Sequence, residues 1–284
     1  MLRSIEKWLA ASLVAVIVLV AFSGSAAAVE VTRQADLVSW YMMGENATPA
    51  GGVGSPMDTI PDMSGNNGPA IGAGTRVDGA AFLDYPYAES IGSSGTYLAP
   101  DAAADFGVES FSLSFWAKGT SPDPTVILNK SVAGGALTPF WQAEAFGGTT
   151  FGWGLRDATG GGAEIILENA MNNSWQHFVC LRDVDANEIR VYRNGGLAGT
   201  ADASSVGDLS NDDPLNIGNA NHANQPYPGS IDDVRVYGVA LSAEDAAAIY
   251  NGGAGDIVPE PSTLVLLGMG AVAALIAARR RKRS

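Results

Sequence analysis

Cysteine is nearly absent from this chain: Cys180 is the only one in 284 residues, so no disulfide within the chain can staple its fold. It lies in a strand-like apolar run and reads as a small core residue. Histidine is almost as scarce, and His177 and His222 cannot with one cysteine make a Cys/His zinc cluster. Cations are also in short supply. Sixteen lysines and arginines face 30 aspartates and glutamates, a formal net charge of −14. Phosphate backbones are bound by cationic surfaces, so this balance excludes nucleic acid as a partner. The motifs of phosphate loops and serine-hydrolase elbows are missing too. Long apolar runs occur only near the two ends, and no internal repeat of useful length is present.

The first of those runs is in Met1 to Ala28, where Arg3 and Lys7 precede an apolar core from Leu9 to Phe22 and then Ser25-Ala26-Ala27-Ala28. This order reads as a secretory signal peptide, residues 1–28, cleaved after Ala28. An uncleaved membrane helix is the alternative, for which the core is short. At the other end Val258-Pro259-Glu260-Pro261 leads into an apolar run, Leu264 to Ala278, and then Arg279-Arg280-Arg281-Lys282-Arg283. As a helix the run reaches only about 22 Å, against a hydrocarbon core of roughly 30 Å. The terminal cations resist crossing a membrane and stay on its cytoplasmic side. In this order the three parts resemble the PEP-CTERM sorting signal of bacteria that export surface proteins together with exopolysaccharide. The resemblance implies that residues 256–284 are a sorting segment and that an exosortase-type protease reads Pro259, Glu260 and Pro261. It also implies export to the cell envelope, cell surface or medium, with membrane association at least until processing. A retained transmembrane anchor is the alternative reading.

Between the ends, residues 29–255 are long enough for one large all-β domain. Only Glu6, Asp256 and Glu260 of the acidic residues lie outside this middle part, whereas seven of the cationic ones do, leaving 27 against 9. That suits a soluble exported protein and supplies carboxylates for divalent cations. Apolar residues recur here with period two, between breaks of Gly, Asn, Asp and Pro. Phe111, Leu113, Phe115 and Ala117 alternate with Ser112, Ser114, Trp116 and Lys118; His177, Val179 and Leu181 alternate with Phe178, Cys180 and Arg182. Asn194-Gly195 is a hairpin signal, because both residues tolerate positive φ. One late helix is expected from Ser242 to Tyr250, with Ser242 and Asp245 as a capping box and Asn251-Gly252-Gly253 as its stop.

Seven blocks of the middle part, in order, resemble the laminin G-like, concanavalin A-like jelly roll. They are Leu37-Val-Ser-Trp-Tyr41, Asp62-Met-Ser-Gly-Asn-Asn-Gly68, Ser110-Phe-Ser-Leu-Ser-Phe-Trp-Ala-Lys118, Trp175-Gln-His-Phe-Val179, Ile189-Arg-Val-Tyr-Arg-Asn-Gly195, Leu215-Asn-Ile-Gly218, and Gly229-Ser-Ile-Asp-Asp-Val-Arg-Val-Tyr237 followed by Ala240-Leu-Ser-Ala-Glu-Asp245. The resemblance implies an all-β fold, a two-sheet antiparallel sandwich in which one sheet often lines a ligand groove. It leaves the activity open, since one scaffold carries many functions. It also implies a structural Ca²⁺ where the early loop approaches the last long strand, with Asp62, Asn67 and Asp232 as the ligands here. Asp232 is expected to share a strand face with Val234 and Val236, where a cation would offset the cost of a buried carboxylate. The alternative is an Asx-turn at Asp62 and backbone or Arg235 partners for Asp232.

Two further chemistries are weighed. Glu164 and Glu168 are four residues apart and so share a strand face, as two glycosidase carboxylates would. However, the jelly-roll hydrolases carry an Asp between their two acids, and Ile166 stands there. For sugar recognition, Trp141, Trp153, Phe146 and Phe151 are candidate aromatic platforms, or core. His177 reads as a packed strand residue and His222 as part of a polar loop. The sequence therefore points to an exported, non-catalytic binding or structural module with polysaccharide as the expected partner. A glycoside hydrolase and a purely structural spacer are the alternatives.

Overall fold

Period-two segments form strands throughout the computed structural model, which describes residues 33–44, 46–78, 87–90, 96–131, 138–220 and 224–252. In chain order the strands are β1 (Leu37–Tyr41), β2 (Pro56–Ile60), β3 (Ala70–Asp78), β4 (Tyr87–Ser90), β5 (Thr96–Ala99), β6 (Phe111–Lys118), β7 (Thr125–Ser131) and β8 (Phe140–Phe146). They continue with β9 (Thr150–Arg156), β10 (Gly162–Leu167), β11 (Gln176–Asp183), β12 (Glu188–Arg193), β13 (Gly196–Asp202), β14 (Leu215–Ile217) and β15 (Ser230–Tyr237), before one α-helix, α1 (Ala243–Gly252). The expected signal peptide, the Pro259-Glu260-Pro261 motif with its apolar run, Ala28 and His222 all lie outside the described residues.

Every strand pairing is antiparallel. The hydrogen-bonded order is β10-β9-β8-β7-β14-β5-β3-β4-β15-β6-β11-β12-β13, with β1 added on β15 and β2 on β3. This ribbon turns over near β3 and β4 to give the two layers of a sandwich, the all-β architecture that the sequence pattern implies. Aromatic side chains from the inner faces fill the space between the layers. Phe151 of β9 stacks on Phe178 of β11 at 4.1 Å, and Phe111 of β6 meets Trp141 and Trp153 at 6.0 and 6.1 Å. Trp153 Nε1 donates to the Leu181 carbonyl at 3.3 Å, which gives its buried N–H a partner in the opposite layer. Cys180 is fully buried in this core, and burial pushes its thiol well up.

The two ends of the ribbon lie against each other. A Cβ on Gly199 of β13 would sit 2.8 Å from Ile165 Cγ2 of β10, and Ser205 Oγ donates to the Gly162 carbonyl at 3.3 Å. The β12–β13 hairpin turns at Asn194 and Gly195, with φ of 51° and 78°, as the Asn-Gly signal requires.

Strands β6, β11 and β15 of the second layer are buried on both faces, and α1 packs on their outer side. Tyr250 stacks on Trp116 at 5.7 Å and lies 5.9 Å from His177. The capping box forms: Ser242 Oγ accepts from Asp245 N at 3.1 Å, and Asp245 Oδ2 accepts from Ser242 N at 3.0 Å.

One expectation about this layer is corrected. Asp233 has φ of 49° and the β15–β6 register shifts between Asp232 and Arg235, which marks a bulge. An extra residue reverses the alternation beyond it. Ile231, Val234 and Val236 therefore face the core, while Asp232 lies opposite Trp116 and Arg235 opposite Ser114 on the outer side. Asp232 does not share a face with the two valines.

Candidate functional site

The outward positions of β8, β9 and β10 build a cleft of about 320 Å³, lined by Phe140, Gln142, Glu144, Gly154, Leu155, Arg156, Gly162, Ala163 and Glu164. Alternation explains why these side chains are here: Trp141, Ala143 and Ala145 of β8 turn to the core, so Phe140, Gln142, Glu144 and Phe146 turn out. Register brings the strands together. Gly154 lies between Gln142 on one neighbour and Glu164 on the other, and Gly152 lies between Glu144 and Ile166.

The floor is therefore glycine where the neighbouring strands carry long polar side chains. Glu144 leans over Gly152, where a Cβ would meet its Cγ at 3.0 Å. Above Gly154 the space is open, and the nearest atom to a Cβ there is Phe140 Cε2 at 3.9 Å. The Arg156 guanidinium stacks over the Phe140 ring at 4.8 Å. Gln142 Nε2 donates to Glu144 Oε2 at 3.2 Å. Burial, and then the nearby Glu164, raise the Glu144 carboxyl above its ordinary range against the opposing effect of Gln142.

The same transverse row continues from Gln142 through Asn129 and Asn216, both buried, to Leu98 and Ile71, both exposed. One exposed end of this face is thus acidic and the other apolar.

Of the two glutamates singled out in the sequence, Glu164 lies in the cleft, whereas Glu168 is exposed beyond the end of β10. The carboxylate facing Glu164 is instead Glu144, twenty positions earlier. Three of the proposed aromatic platforms are core: Trp141, Trp153 and Phe151 are 1%, 0% and 0% exposed. Phe146 is outward and half-buried, and the aromatic ring of the cleft is Phe140.

The expected calcium ligands do not converge. Asp62 accepts at Oδ1 from the N–H groups of Trp40 (2.8 Å) and Ser64 (3.0 Å), and at Oδ2 from Ser64 Oγ (2.7 Å) and Asn67 N (2.8 Å). Four hydrogen-bond donors, three of them backbone N–H groups, occupy this carboxylate and leave it little capacity for a cation. Asn67 Nδ2 donates to the Val38 carbonyl at 2.8 Å. Asp62 bridges β1 at Tyr41, and β15 pairs with β1 at Val234 opposite the same Tyr41, so β1 stands between Asp62 and the strand of Asp232. Among the described residues no group of three His, Cys, Asp or Glu is placed to hold a metal. The donor set does not fit Ca²⁺ at these positions. An oxygen cage does exist on the other layer, and a lysine fills it. Lys130 Nζ donates to Asp101 Oδ1 at 2.5 Å, Asn211 Oδ1 at 3.1 Å, the Asp213 carbonyl at 2.8 Å and the Asn211 carbonyl.

Ser114 Oγ and His177 Nε2 are 2.9 Å apart, the spacing of a nucleophile and its base. Both side chains are 0% exposed, beneath Trp116 and Tyr250, and His177 Nδ1 has no orienting partner among the described residues. Burial, and then Arg235, press the imidazole down to about 3. The pair is a buried hydrogen bond between β6 and β11.

Residues 92–247, more than half of the chain, match the concanavalin A-like lectin/glucanases superfamily. Residues 258–282 match the PEP-CTERM protein-sorting motif, a signal for exosortase-type processing of exported proteins. No curated protein sequence matches the chain. Among solved structures, it is similar to the binding domain of Paraclostridial Mosquitocidal Protein 1, with a TM-score of 0.58 and 16% identity over 77% of this chain and 52% of that one. It is also similar to the ligand-binding domain of botulinum neurotoxin serotype D in complex with N-acetylneuraminic acid, with a TM-score of 0.56 and 18% identity over 77% and 51%. The chain spans about half the length of these structures. The likeness is one of fold, and the similar domains are binding domains.

Proposed function

The chain belongs to the concanavalin A-like lectin/glucanases superfamily, and we propose that it is an exported, non-catalytic module that binds carbohydrate in the cleft of β8, β9 and β10. One observation carries this reading: a flat glycine floor is bordered by an aromatic ring, an amide, two carboxylates and a guanidinium. A sugar ring presents an apolar C–H face and a rim of hydroxyls, and it needs a flat contact with polar partners round it. The volume is that of a small-ligand cleft. The likeness to toxin binding domains, one of them complexed with a sugar acid, supports a binding role over an enzymatic one. The sorting motif supports action at the cell surface or in the surrounding matrix, after loss of residues 1–28 and of the C-terminal segment.

Gly154→Val tests the site. A Cβ is accommodated at that position and valine favours strands, so the variant fills the floor while leaving the fold intact. On a glycan array the parent protein is expected to retain at least one polysaccharide class and the variant none. Equal retention by both would move the ligand elsewhere, and no retention by either would remove the carbohydrate reading. Release of reducing ends, lost in Glu144→Gln, would make the cleft catalytic instead. Intact masses of the protein from cells and medium report both cleavages.

A further inference from the structure

Resting on that reading of the cleft, we propose that its ligand is a glycan bearing free amines, whose ammonium group sits between Glu144 and Glu164 above Gly154. The two glutamates stand on strands to either side of β9, and Gly154 leaves the space between them open. Neither has a cation of its own. Glu164 makes no hydrogen bond or ion pair among the described residues, and Glu144 has only the neutral Gln142 amide. Arg156, the cation of the cleft, is stacked on Phe140 and forms no ion pair with either.

Two carboxylates held near each other repel, and a cation placed between them relieves that repulsion while making charge-assisted hydrogen bonds to both. Neutral sugar hydroxyls would leave most of this repulsion in place. Uronic or sulfated sugars would add to it, within a domain already rich in negative charge. Lysine-rich peptide carries the same ammonium but suits the cleft poorly. Its floor is a sheet interior whose backbone N–H and C=O groups are spent on β8 and β10, so an added strand finds no ladder. Phe140 beside the floor supplies a surface for the C–H face of a sugar.

The test is calorimetric titration of the protein recovered in its exported form, with four sugar probes of equal length and with polylysine. The sugars are a glucosamine oligomer, its N-acetylated counterpart, a neutral β-glucan oligomer and a uronic-acid oligomer. The glucosamine oligomer is expected to bind about tenfold more tightly than its N-acetylated counterpart, a difference that one charge-assisted contact supplies. Glu144→Gln and Glu164→Gln should each weaken the glucosamine oligomer more than the N-acetylated probe and so erase most of that preference, and Gly154→Val should abolish binding of both. EDTA should change nothing. Tighter binding of the neutral, N-acetylated or uronic probe, sensitive to Gly154→Val, would overturn the amine proposal and leave the cleft as a carbohydrate site. Polylysine binding as tightly as glucosamine, or binding lost in EDTA, would also overturn it. Silence from all four sugars would overturn the carbohydrate reading itself.

Discussion

Asp233 and Arg235 form an ion pair 2.9 Å long whose side chains are 0% and 1% exposed. The bulge puts the two on the same side of β15, and the guanidinium also lies over the Trp40 ring at 4.7 Å. Asp233 Oδ1 further accepts from Trp40 Nε1 at 2.7 Å, so one carboxylate joins β1 to β15. Removing it takes the carboxylate partner from a buried cation. Asp233→Ala is expected to cost about 3–5 kcal/mol, measured by urea denaturation. Asp233→Asn, which keeps the shape and an acceptor for Trp40, should cost less.

His177 should make stability fall in mild acid. Burial, and then Arg235, hold its imidazole down to about 3 in the fold, against about 6.5 in the unfolded chain. Between those values the unfolded chain binds a proton that the native state does not. Stability is therefore complete above about pH 6.5 and declines towards pH 3, with a slope of at most about 1.4 kcal/mol per pH unit from this one group. His177→Gln should flatten that slope in urea midpoints collected from pH 7 to pH 4.

Asp157 acts in a lower window. Burial alone would raise its carboxyl, but hydrogen bonds from Gly207, Thr159 and Gly161 outweigh that and hold it at about 2, against an ordinary 3.8. The stabilisation is present above about pH 4 and is lost as pH falls through 2. Asp157→Asn should lower stability at neutral pH and shrink the acid-induced loss below pH 4. These bonds tie the β9–β10 turn to the 207 segment, so thermal melting should report both effects.

Ser242→Ala removes the cap of α1 and is expected to cost about 0.5–2 kcal/mol. Because Tyr250 of that helix covers Trp116 and His177, the variant should also speed hydrogen exchange on the outer side of β6 and β11. An unchanged exchange pattern would mean that the helix holds its place by packing alone.

Features set by neighbouring residues were legible from the sequence. The Asn194-Gly195 turn, the Ser242/Asp245 box and the inward run of Phe111, Leu113, Phe115 and Ala117 depend only on local conformation or on a period of two. The cleft depends on register across three strands. Nothing near Glu164 in sequence announces Glu144, and the adjacent aromatics Phe140 and Trp141 make either parity of β8 read as core. Asp232 failed for a different reason: a bulge reverses the alternation, and Ile231 to Tyr237 carries no glycine to mark it. For Asp62 the turn chemistry was visible, but the donors that saturate it come from the turn and from β1 together.

The contact of β10 with β13 bears on life in a crowded extracellular layer. A strand at the end of a ribbon is ordinarily a template for a second molecule. Here Ile165 against Gly199, and Ser205 on the Gly162 carbonyl, occupy each terminal strand with the other. A strand adding to β10 at this point would have to displace Ser205 from the Gly162 carbonyl, so that end of the edge is closed to a second molecule.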